Sequence, residues 1–302
     1  MTSNFLQVFA EIDSETKTVS EITRSLGLSH RAFLRLAEPL FLIGLLERKQ
    51  RRDGTTILRL SRSARSAFGK EGNIHFWTEH HRTLFRIWSS LPRSIKNDAP
   101  YLRSTHDLDV ESYARSLAES YSLSTRKLHD VVELQGPTRL LDVGGGIGHY
   151  TVSAAQNNSQ LSSVILDRPE IVRLTRREIR KYGMSSRIEA MPLDIVNDKW
   201  PQGFDIVLLS NVLHSKSDSE CRRIVRKAHS AVPRGGKVLI NERIRRSDLL
   251  STLFDITLLL CTPSGRLRTR SELALLTQKA GFSELKWKSL DSSQWVLMAS
   301  KA

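Results

Sequence analysis

Four glycines within six residues are the feature that most constrains this chain. They lie in "RLLDVGGGIGHY", residues 139–150, directly after a short apolar run that ends in Asp142. Closely spaced glycines permit backbone conformations with positive φ and let another group approach where a side chain would block it. An apolar strand that runs into such a loop and then into a helix is typical of a ligand-binding α/β domain.

Strand and helix patterns alternate from residue 138 onward, which predicts an α/β domain with a mostly parallel sheet. We predict five strands, within "TRLLDV", "SSVILD", "RIEAMPLD", "FDIVLLSNVLH" and "KVLINE". Ligands of such sheets bind beyond the carboxyl ends of the strands. Five polar residues fall at or just past those ends, namely Asp142, Asp167, Asp194, His214 and Glu242.

The acids near the glycines indicate which ligand the loop would take. The glycines follow a G-x-G-x-G spacing, unlike the G-x-G-x-x-G of dinucleotide-binding loops, and Asp142 would repel a pyrophosphate. Asp167 is placed to hold two ribose hydroxyls, and Asp194 to accept from an adenine amino group. A cationic amino acid joined to ribose and adenine is S-adenosylmethionine, which we predict as the cofactor.

The first 69 residues predict a winged helix. Thr18 and Ser29 each precede a helical pattern as N-caps, and Asp53-Gly54 separates two short strand patterns, a strong hairpin signal. Pro39 falls inside the second helix, where we expect a kink or a shifted boundary. Because that helix is mostly apolar, we favour dimerisation or packing over DNA reading.

Three regions follow from these patterns: a winged-helix dimerisation-type domain (1–69), a helical connecting segment (70–136) and a cofactor-binding catalytic domain (137–302). Within the second region, "PRSIKNDAPYLRSTHD" predicts a loop or linker. Gln135-Gly136-Pro137 marks the last boundary, since Gly and Pro interrupt regular structure.

Charge and cysteine content limit the partners and the compartment. The net charge is +14; residues 1–136 carry 20 basic and 16 acidic residues, and residues 137–302 carry 26 and 16. Such an excess is typical of solvated helix faces, of a field for anionic substrates, or of a nucleic-acid surface. Cys221 and Cys261 form no metal-binding motif, so we expect no metal and a reducing cytoplasm. We find neither a secretion signal nor an apolar run that would span a membrane.

Four stretches resemble the small-molecule O-methyltransferases, the group that includes the caffeate and acetylserotonin enzymes and bacterial antibiotic-tailoring relatives. They are "LLDVGGGIG", "ILDRPEIV", "FDIVLLSNVLHSKSDSECRRIVRKAHSAVPRGGKVLINERI" and "SGRLRTRSELALLTQKAGF". The resemblance, which runs from about residue 5 to the end, implies a Rossmann-like class I methyltransferase domain behind a mainly helical winged-helix domain. It also implies a homodimer.

The resemblance assigns roles to individual residues. The cofactor would be contacted by Asp142, Gly144, Gly146, Gly148, Asp167, Asp194 and Ser210. His214 matches the family's general base and Glu242 the acid that orients it, while Leu267 stands where the family has a second acid. A phenol is a poor nucleophile until its proton leaves, and a neutral imidazole can take that proton. Candidates to line the acceptor pocket are Tyr113, Tyr121, Phe254, Asp255 and Leu258.

The leading hypothesis is methyl transfer to a hydroxyl oxygen of a small phenolic or enolic molecule, with S-adenosylhomocysteine as product. Lys216, close to His214, favours an anionic acceptor. Two alternatives stay open. One is a relative that binds the same cofactor but performs non-methylating chemistry or C- or N-methylation. The other is a nucleic-acid-binding winged-helix protein or RNA methyltransferase, which the absence of an Asn/Asp-Pro-Pro-Tyr/Phe signature disfavours.

Overall fold

A computed structural model describes residues 2–14, 17–68, 75–101, 110–120, 128, 134 and 136–302. The chain divides into two compact units, Met1–Thr83 and Leu84–Ala302. The boundaries predicted at residues 69 and 136 stay a prediction.

The first unit combines helices with a small antiparallel sheet. Its elements are α1 (Thr2–Ser14), β1 (Lys17–Thr18), α2 (Val19–Ser25), α3 (His30–Leu42), β2 (Leu46–Gln50), β3 (Thr56–Leu60) and α4 (Arg62–Phe68). The strand order is β1-β3-β2, with both pairs antiparallel. Thr18 and Glu21 form a capping box on α2, and Ser29 caps α3. The predicted pair of helices and the hairpin are therefore present.

The second unit is built on a seven-stranded sheet. After α5 (His75–Trp88), which spans the division between the units, its elements are α6 (Leu91–Asn97), α7 (Val110–Ser120), β4 (Thr138–Val143), α8 (His149–Asn157), β5 (Leu161–Asp167), α9 (Pro169–Lys181), β6 (Ile188–Pro192), β7 (Ile206–Ser210), α10 (Asp218–Ala231), β8 (Lys237–Arg243), α11 (Leu249–Cys261), α12 (Arg270–Lys279), β9 (Phe282–Ser289) and β10 (Gln294–Lys301).

The strand order of this sheet is β6-β5-β4-β7-β8-β10-β9. The first five strands run parallel, whereas β10 pairs antiparallel with β8 and β9. Two large apolar clusters lie against this sheet: one includes Leu209 and Ile224, and the other includes Ile165 and Val172. Each cluster combines strand residues with helix residues, as expected for a sheet covered by crossover helices.

One sequence prediction needs correction. The segment predicted as a loop contains α6, whose Pro92 lies in the first turn, where the missing N–H breaks no intrahelical hydrogen bond. Pro39 lies inside α3, which continues to Leu42, and the Ile43 N–H bonds the Pro39 carbonyl. The expected kink stays a prediction. The antiparallel strands β9 and β10 form where the sequence yielded no prediction. Within the described ranges, no helix combines the length and apolar character that crossing a membrane requires.

Candidate active site

The parallel strands β4, β5, β7 and β8 end at one edge of the sheet, and the predicted site residues follow them there. β4 leads into the glycine loop, and β5 ends in Asp167. β7 ends in Ser210, shortly before a 3₁₀ turn, Leu213–Ser215, that carries His214. Glu242 is the penultimate residue of β8. The sheet thus brings together residues that are up to a hundred positions apart in the chain.

Packing and backbone conformation require the glycines of the loop. Gly144, Gly146 and Gly148 have φ of 68°, 59° and 85°, in the left-handed region that disfavours side chains. A Cβ on Gly144 would lie 2.8 Å from Val212 Cγ2, and one on Gly148 would lie 2.8 Å from Ile165 Cδ1. A Cβ on Gly146 would meet no atom within 4 Å, so the backbone of this residue borders open space.

Both backbone polar groups of Gly146 are hydrogen-bonded to side chains. Its N–H donates to Asp167 Oδ2 at 2.8 Å, and its carbonyl accepts from Thr175 Oγ1 at 2.7 Å. Asp167 Oδ1 accepts from the Arg168 N–H at 2.8 Å. Burial raises the pKa of Asp167 despite these hydrogen bonds. The sequence analysis missed Thr175, which lies on α9 and carries no motif signal.

Asp142 lies fully buried beneath the loop. A Cβ on Gly145 would come within 2.7 Å of its Cγ, and its Oδ2 accepts from Thr151 Oγ1 at 2.7 Å. The other oxygen, Oδ1, is buried without a hydrogen-bond partner. Burial, together with the charge of Asp167, raises the pKa of Asp142 to about 7 and outweighs the bond from Thr151.

Asp194 is exposed and caps the turn that follows β6. Its Oδ1 accepts from the backbone N–H groups of Val196 and Asn197, and its Oδ2 accepts from Asn197 Nδ2. Partial burial raises the pKa of Asp194, but these hydrogen bonds and the charge of Lys216 bring it below its usual value. The carboxylate thus holds its own turn in shape.

Ser210 belongs to a buried polar network that links two strands and a helix. Asn241 Nδ2 donates to Ser210 Oγ at 2.9 Å and to Tyr150 Oη at 3.1 Å. The Asn241 Oδ1 atom is buried without a hydrogen-bond partner. The sequence analysis missed Asn241 and Tyr150, although Asn241 directly precedes Glu242 in β8.

His214 and Glu242 form a hydrogen-bonded pair. His214 Nδ1 lies 2.7 Å from Glu242 Oε2, and the side chains are 13% and 3% exposed. Glu242 Oε1 accepts from the backbone N–H groups of Leu213 and His214. A carboxylate that accepts from Nδ1 keeps the proton there, so Nε2 presents a lone pair. One buried acid therefore positions both the turn and the ring that it carries.

Arg268 holds the same turn through its carbonyl groups. Its guanidinium is 4% exposed and donates to the carbonyls of Leu213 at 2.7 Å and Lys216 at 2.9 Å. It also donates to Asp218 Oδ1, and bonds from Arg268 and Arg266 lower the pKa of that carboxyl group. The His214 turn thus lies between a buried acid and a buried guanidinium.

The predicted acceptor-pocket residues fall in different surroundings. Phe254 places its ring 5.6 Å from the His214 ring in an edge-on arrangement. Asp255 Oδ1 accepts from the Leu267 N–H at 2.6 Å, and Leu258 is buried one turn further along α11. Tyr113 is half-buried on α7, and Tyr121 lies outside the described residues. The ring contact therefore places Phe254 beside His214.

A profile of the O-methyltransferase domain matches residues 101–283, more than half of the chain. The chain belongs to the O-methyltransferase domain family. This membership confirms the resemblance found in the glycine loop and the segments after it.

Individual relatives agree with the family assignment. The 3-hydroxy-5-methyl-1-naphthoate 3-O-methyltransferase of Streptomyces sahachiroi is 31% identical over 212 residues, 66% of this chain and 61% of that enzyme. The L-tyrosine C(3)-methyltransferase of Streptomyces lavendulae is 33% identical over 174 residues, 56% of this chain and 46% of that enzyme. This family member thus covers less than two thirds of either relative's length.

Solved structures share the fold. Human N-acetylserotonin methyltransferase, in complex with S-adenosylmethionine, matches 100% of this chain and 92% of its own with a TM-score of 0.86 at 20% identity. The mitomycin 7-O-methyltransferase MmcR matches 100% of this chain and 92% of its own with a TM-score of 0.79 at 21% identity. These matches confirm the predicted class I methyltransferase fold.

The raised pKa of Asp142 predicts a pH-dependent stability. Its pKa is about 7 in the folded chain against 3.8 as an ordinary value, so between these values the native state holds a proton that the unfolded state has lost. The stability contributed by this group therefore falls as the pH rises from about 4 to about 7. Asp142→Asn has no carboxyl group to ionise at this position, so this fall in stability should be absent from the variant. Urea unfolding should show the variant gaining stability over wild type as the pH rises from about 4 to about 7. If the difference in unfolding free energy between the variant and wild type does not change with pH, the pKa of Asp142 is not raised.

Arg268→Met should lower the free energy of unfolding much more than Arg266→Met does. Both arginines contact Asp218, but Arg266 also pairs with Glu272 and is 35% exposed. Removing the buried guanidinium takes one donor from each of two carbonyls, at an expected cost of about 2 kcal/mol or more. The Leu213 carbonyl keeps the Lys216 N–H, and the Lys216 carbonyl keeps only a long contact from Cys221 Sγ. The more exposed ion pairs should contribute about 1 kcal/mol or less. Equal losses in urea unfolding would show that the bonds to the His214 turn contribute little.

Proposed function

We propose that this chain is an S-adenosylmethionine-dependent methyltransferase that methylates a hydroxyl oxygen of a small phenolic or enolic acceptor. The observation that carries the proposal is the 2.7 Å contact between His214 Nδ1 and the buried Glu242, at the sheet edge where the glycine loop also lies. Family membership and the 3-O-methylation named for the Streptomyces sahachiroi relative support it.

The residues around the glycine loop fit this cofactor. Asp167 uses each carboxylate oxygen once, and each oxygen has a further lone pair for a ribose hydroxyl. The open backbone face at Gly146 admits a ligand, and the unpartnered Oδ1 of Asp142 suits a cationic group nearby. We assign Asp194 to the adenine end and Ser210 to the methionine end, as the resemblance implies.

The pair of His214 and Glu242 then performs the acid–base part of the reaction. When bound, S-adenosylmethionine supplies a methyl group on a cationic sulfonium and becomes neutral S-adenosylhomocysteine. His214 Nε2 accepts the proton of the acceptor hydroxyl as the oxygen forms its bond to the methyl carbon. Glu242 stabilises the imidazolium that results, because its buried carboxylate already accepts from Nδ1. The proton later passes from His214 to solvent.

We further propose that the N-terminal unit is a winged-helix dimerisation domain of a cytoplasmic homodimer. At the end of α3, Leu42 and Ile43 are 81% and 66% exposed, and exposed apolar side chains of this kind are typical of protein interfaces. The acceptor pocket would use Tyr113 together with Phe254, Asp255 and Leu258, as the resemblance implies.

A second candidate function is C-methylation or a non-methylating reaction with the same cofactor. The observation that favours it is Leu267, which is fully buried at the position where the resemblance places a second acid. A relative named as an L-tyrosine C(3)-methyltransferase supports it as well. Release of S-adenosylhomocysteine separates methyl transfer from a non-methylating reaction. NMR of the product separates O-methylation from C-methylation, because a methyl ether and a carbon-bound methyl group differ in chemical shift although the two products have the same mass.

Calorimetric titration with S-adenosylmethionine and S-adenosylhomocysteine tests the cofactor assignment. We expect both to bind, and Asp167→Asn to weaken binding about tenfold or more, because the ribose loses hydrogen bonds to a charged acceptor. Asp205→Asn is the matched control, since Asp205 accepts from the Arg139 N–H at the opposite edge of the sheet. No binding of either ligand to the wild-type protein would contradict the proposal and favour the nucleic-acid alternative.

His214→Gln tests the base. We expect kcat to fall about 100-fold or more, the usual contribution of a positioned base, while the affinity for S-adenosylhomocysteine stays unchanged. His229→Gln serves as control, because His229 packs against Phe282, away from the His214 turn. Turnover that survives in His214→Gln would exclude His214 as the base and leave the cofactor assignment intact.

A further inference from the structure

Arg243 is the last residue of β8 and directly follows Glu242. The residue is half-buried, and its Nε is buried without a hydrogen-bond partner. Nearby arginines are paired: Arg246 with Asp248, and Arg268 with Asp218. Among the described residues, Arg243 has neither an ion pair nor a side-chain hydrogen bond. Burying part of a cation without a counter-charge is unfavourable, so a residue in this position calls for a partner.

An aromatic ring connects this arginine to the proposed base. The Cζ of Arg243 lies 4.7 Å from the centroid of the Phe254 ring, and the same ring lies edge-on to His214 at 5.6 Å. Stacking on a phenyl face offsets part of the cost of burial. It leaves the N–H groups at the edge of the guanidinium plane able to donate. That donor set fits a planar carboxylate in a bidentate arrangement.

Lys216 is less well placed for this role. Its charge lowers the pKa of Asp194 and of Glu220, which shows that its ammonium lies near acids of this chain. Asp255, the acid that follows Phe254, accepts instead from the Leu267 N–H. The free cation beside the His214–Phe254 contact is therefore Arg243, among the residues that the structure describes.

We propose that Arg243 binds a carboxylate of the methyl acceptor. The acceptor class is then a hydroxylated aromatic or enolic carboxylic acid, whose hydroxyl meets His214 while its carboxylate meets Arg243 across the ring of Phe254. This inference rests on the proposed methyl transfer. The basic excess of residues 137–302, 26 basic against 16 acidic residues, would attract such acids to the domain.

The test uses hydroxybenzoates and hydroxynaphthoates, each compared with its methyl ester, which keeps the hydroxyl and removes the charge. Acceptor binding is measured by calorimetry in the presence of S-adenosylhomocysteine, and turnover as kcat/KM with S-adenosylmethionine. Wild type should prefer the best acid over its ester by about tenfold or more, the usual range for a hydrogen bond between charged groups. Arg243→Met should abolish that preference, so that the acid and its ester give the same affinity and the same kcat/KM in the variant.

Two further variants make the result specific. Arg243→Lys retains a cation but not the planar donor edge, and should keep part of the preference. Arg245→Met is the matched control, because Arg245 is exposed two residues further along, and it should behave like wild type. Thermal melting and the affinity for S-adenosylhomocysteine should be equal in all variants, which separates loss of acceptor binding from loss of the fold.

The outcomes distinguish this inference from the proposed function. If neither S-adenosylmethionine nor S-adenosylhomocysteine binds wild type, the proposed function fails and the inference fails with it. If the cofactor binds but acids show no advantage over esters, the inference is wrong while the methyltransferase assignment stands. An acid preference that survives in Arg243→Met also overturns it, because another group must then bind the carboxylate.

Discussion

The buried carboxylate of Glu242 is the group on which the proposed chemistry depends. A charge in this position needs hydrogen bonds on both oxygens, and it obtains them from the Leu213 and His214 N–H groups and from His214 Nδ1. The acid therefore shapes the turn and selects the tautomer in one arrangement. Arg268 donates to the carbonyls of Leu213 and Lys216, so both the N–H groups and the carbonyl groups of the turn have side-chain partners. A base fixed in this way has little freedom to lose when an acceptor binds.

The glycine loop is held by the same means at the neighbouring strands. Asp167 and Thr175 bind the N–H and the carbonyl of Gly146, just as Glu242 and Arg268 bind the two kinds of backbone group in the His214 turn. Between the two sites, Asn241 joins Ser210 of β7 to Tyr150 of α8. The loop and the turn are thus each fixed by hydrogen bonds at neighbouring strand ends, where the proposed cofactor and base would meet.

Local signals predicted much of the fold. The N-caps at Thr18 and Ser29, the hairpin at Asp53-Gly54 and the five parallel strands were all predicted from residue patterns, because each depends on neighbours within a few positions. The prediction failed at α6, where turn-forming residues occupy a helix, and it was silent on β9 and β10. In the sheet, β10 pairs with β8, and β9 pairs with β10 at the edge. Contacts between distant segments can override the local propensity of a segment, and they can also form an element that local propensity does not predict.

The sequence by itself determined the fold class, the order of the strands along the chain and the residue types that follow each strand end. These properties can be recognised in short segments, above all in the glycine loop and in the acids that follow the strands. Only the tertiary structure decided that Asp142 is buried beneath the loop, that Arg268 binds the His214 turn from more than fifty residues away, and that Arg243 stacks on Phe254 without a counter-charge. Contacts between distant segments depend on which strands become neighbours, and side chains at strand ends acquire their partners only once the sheet has formed.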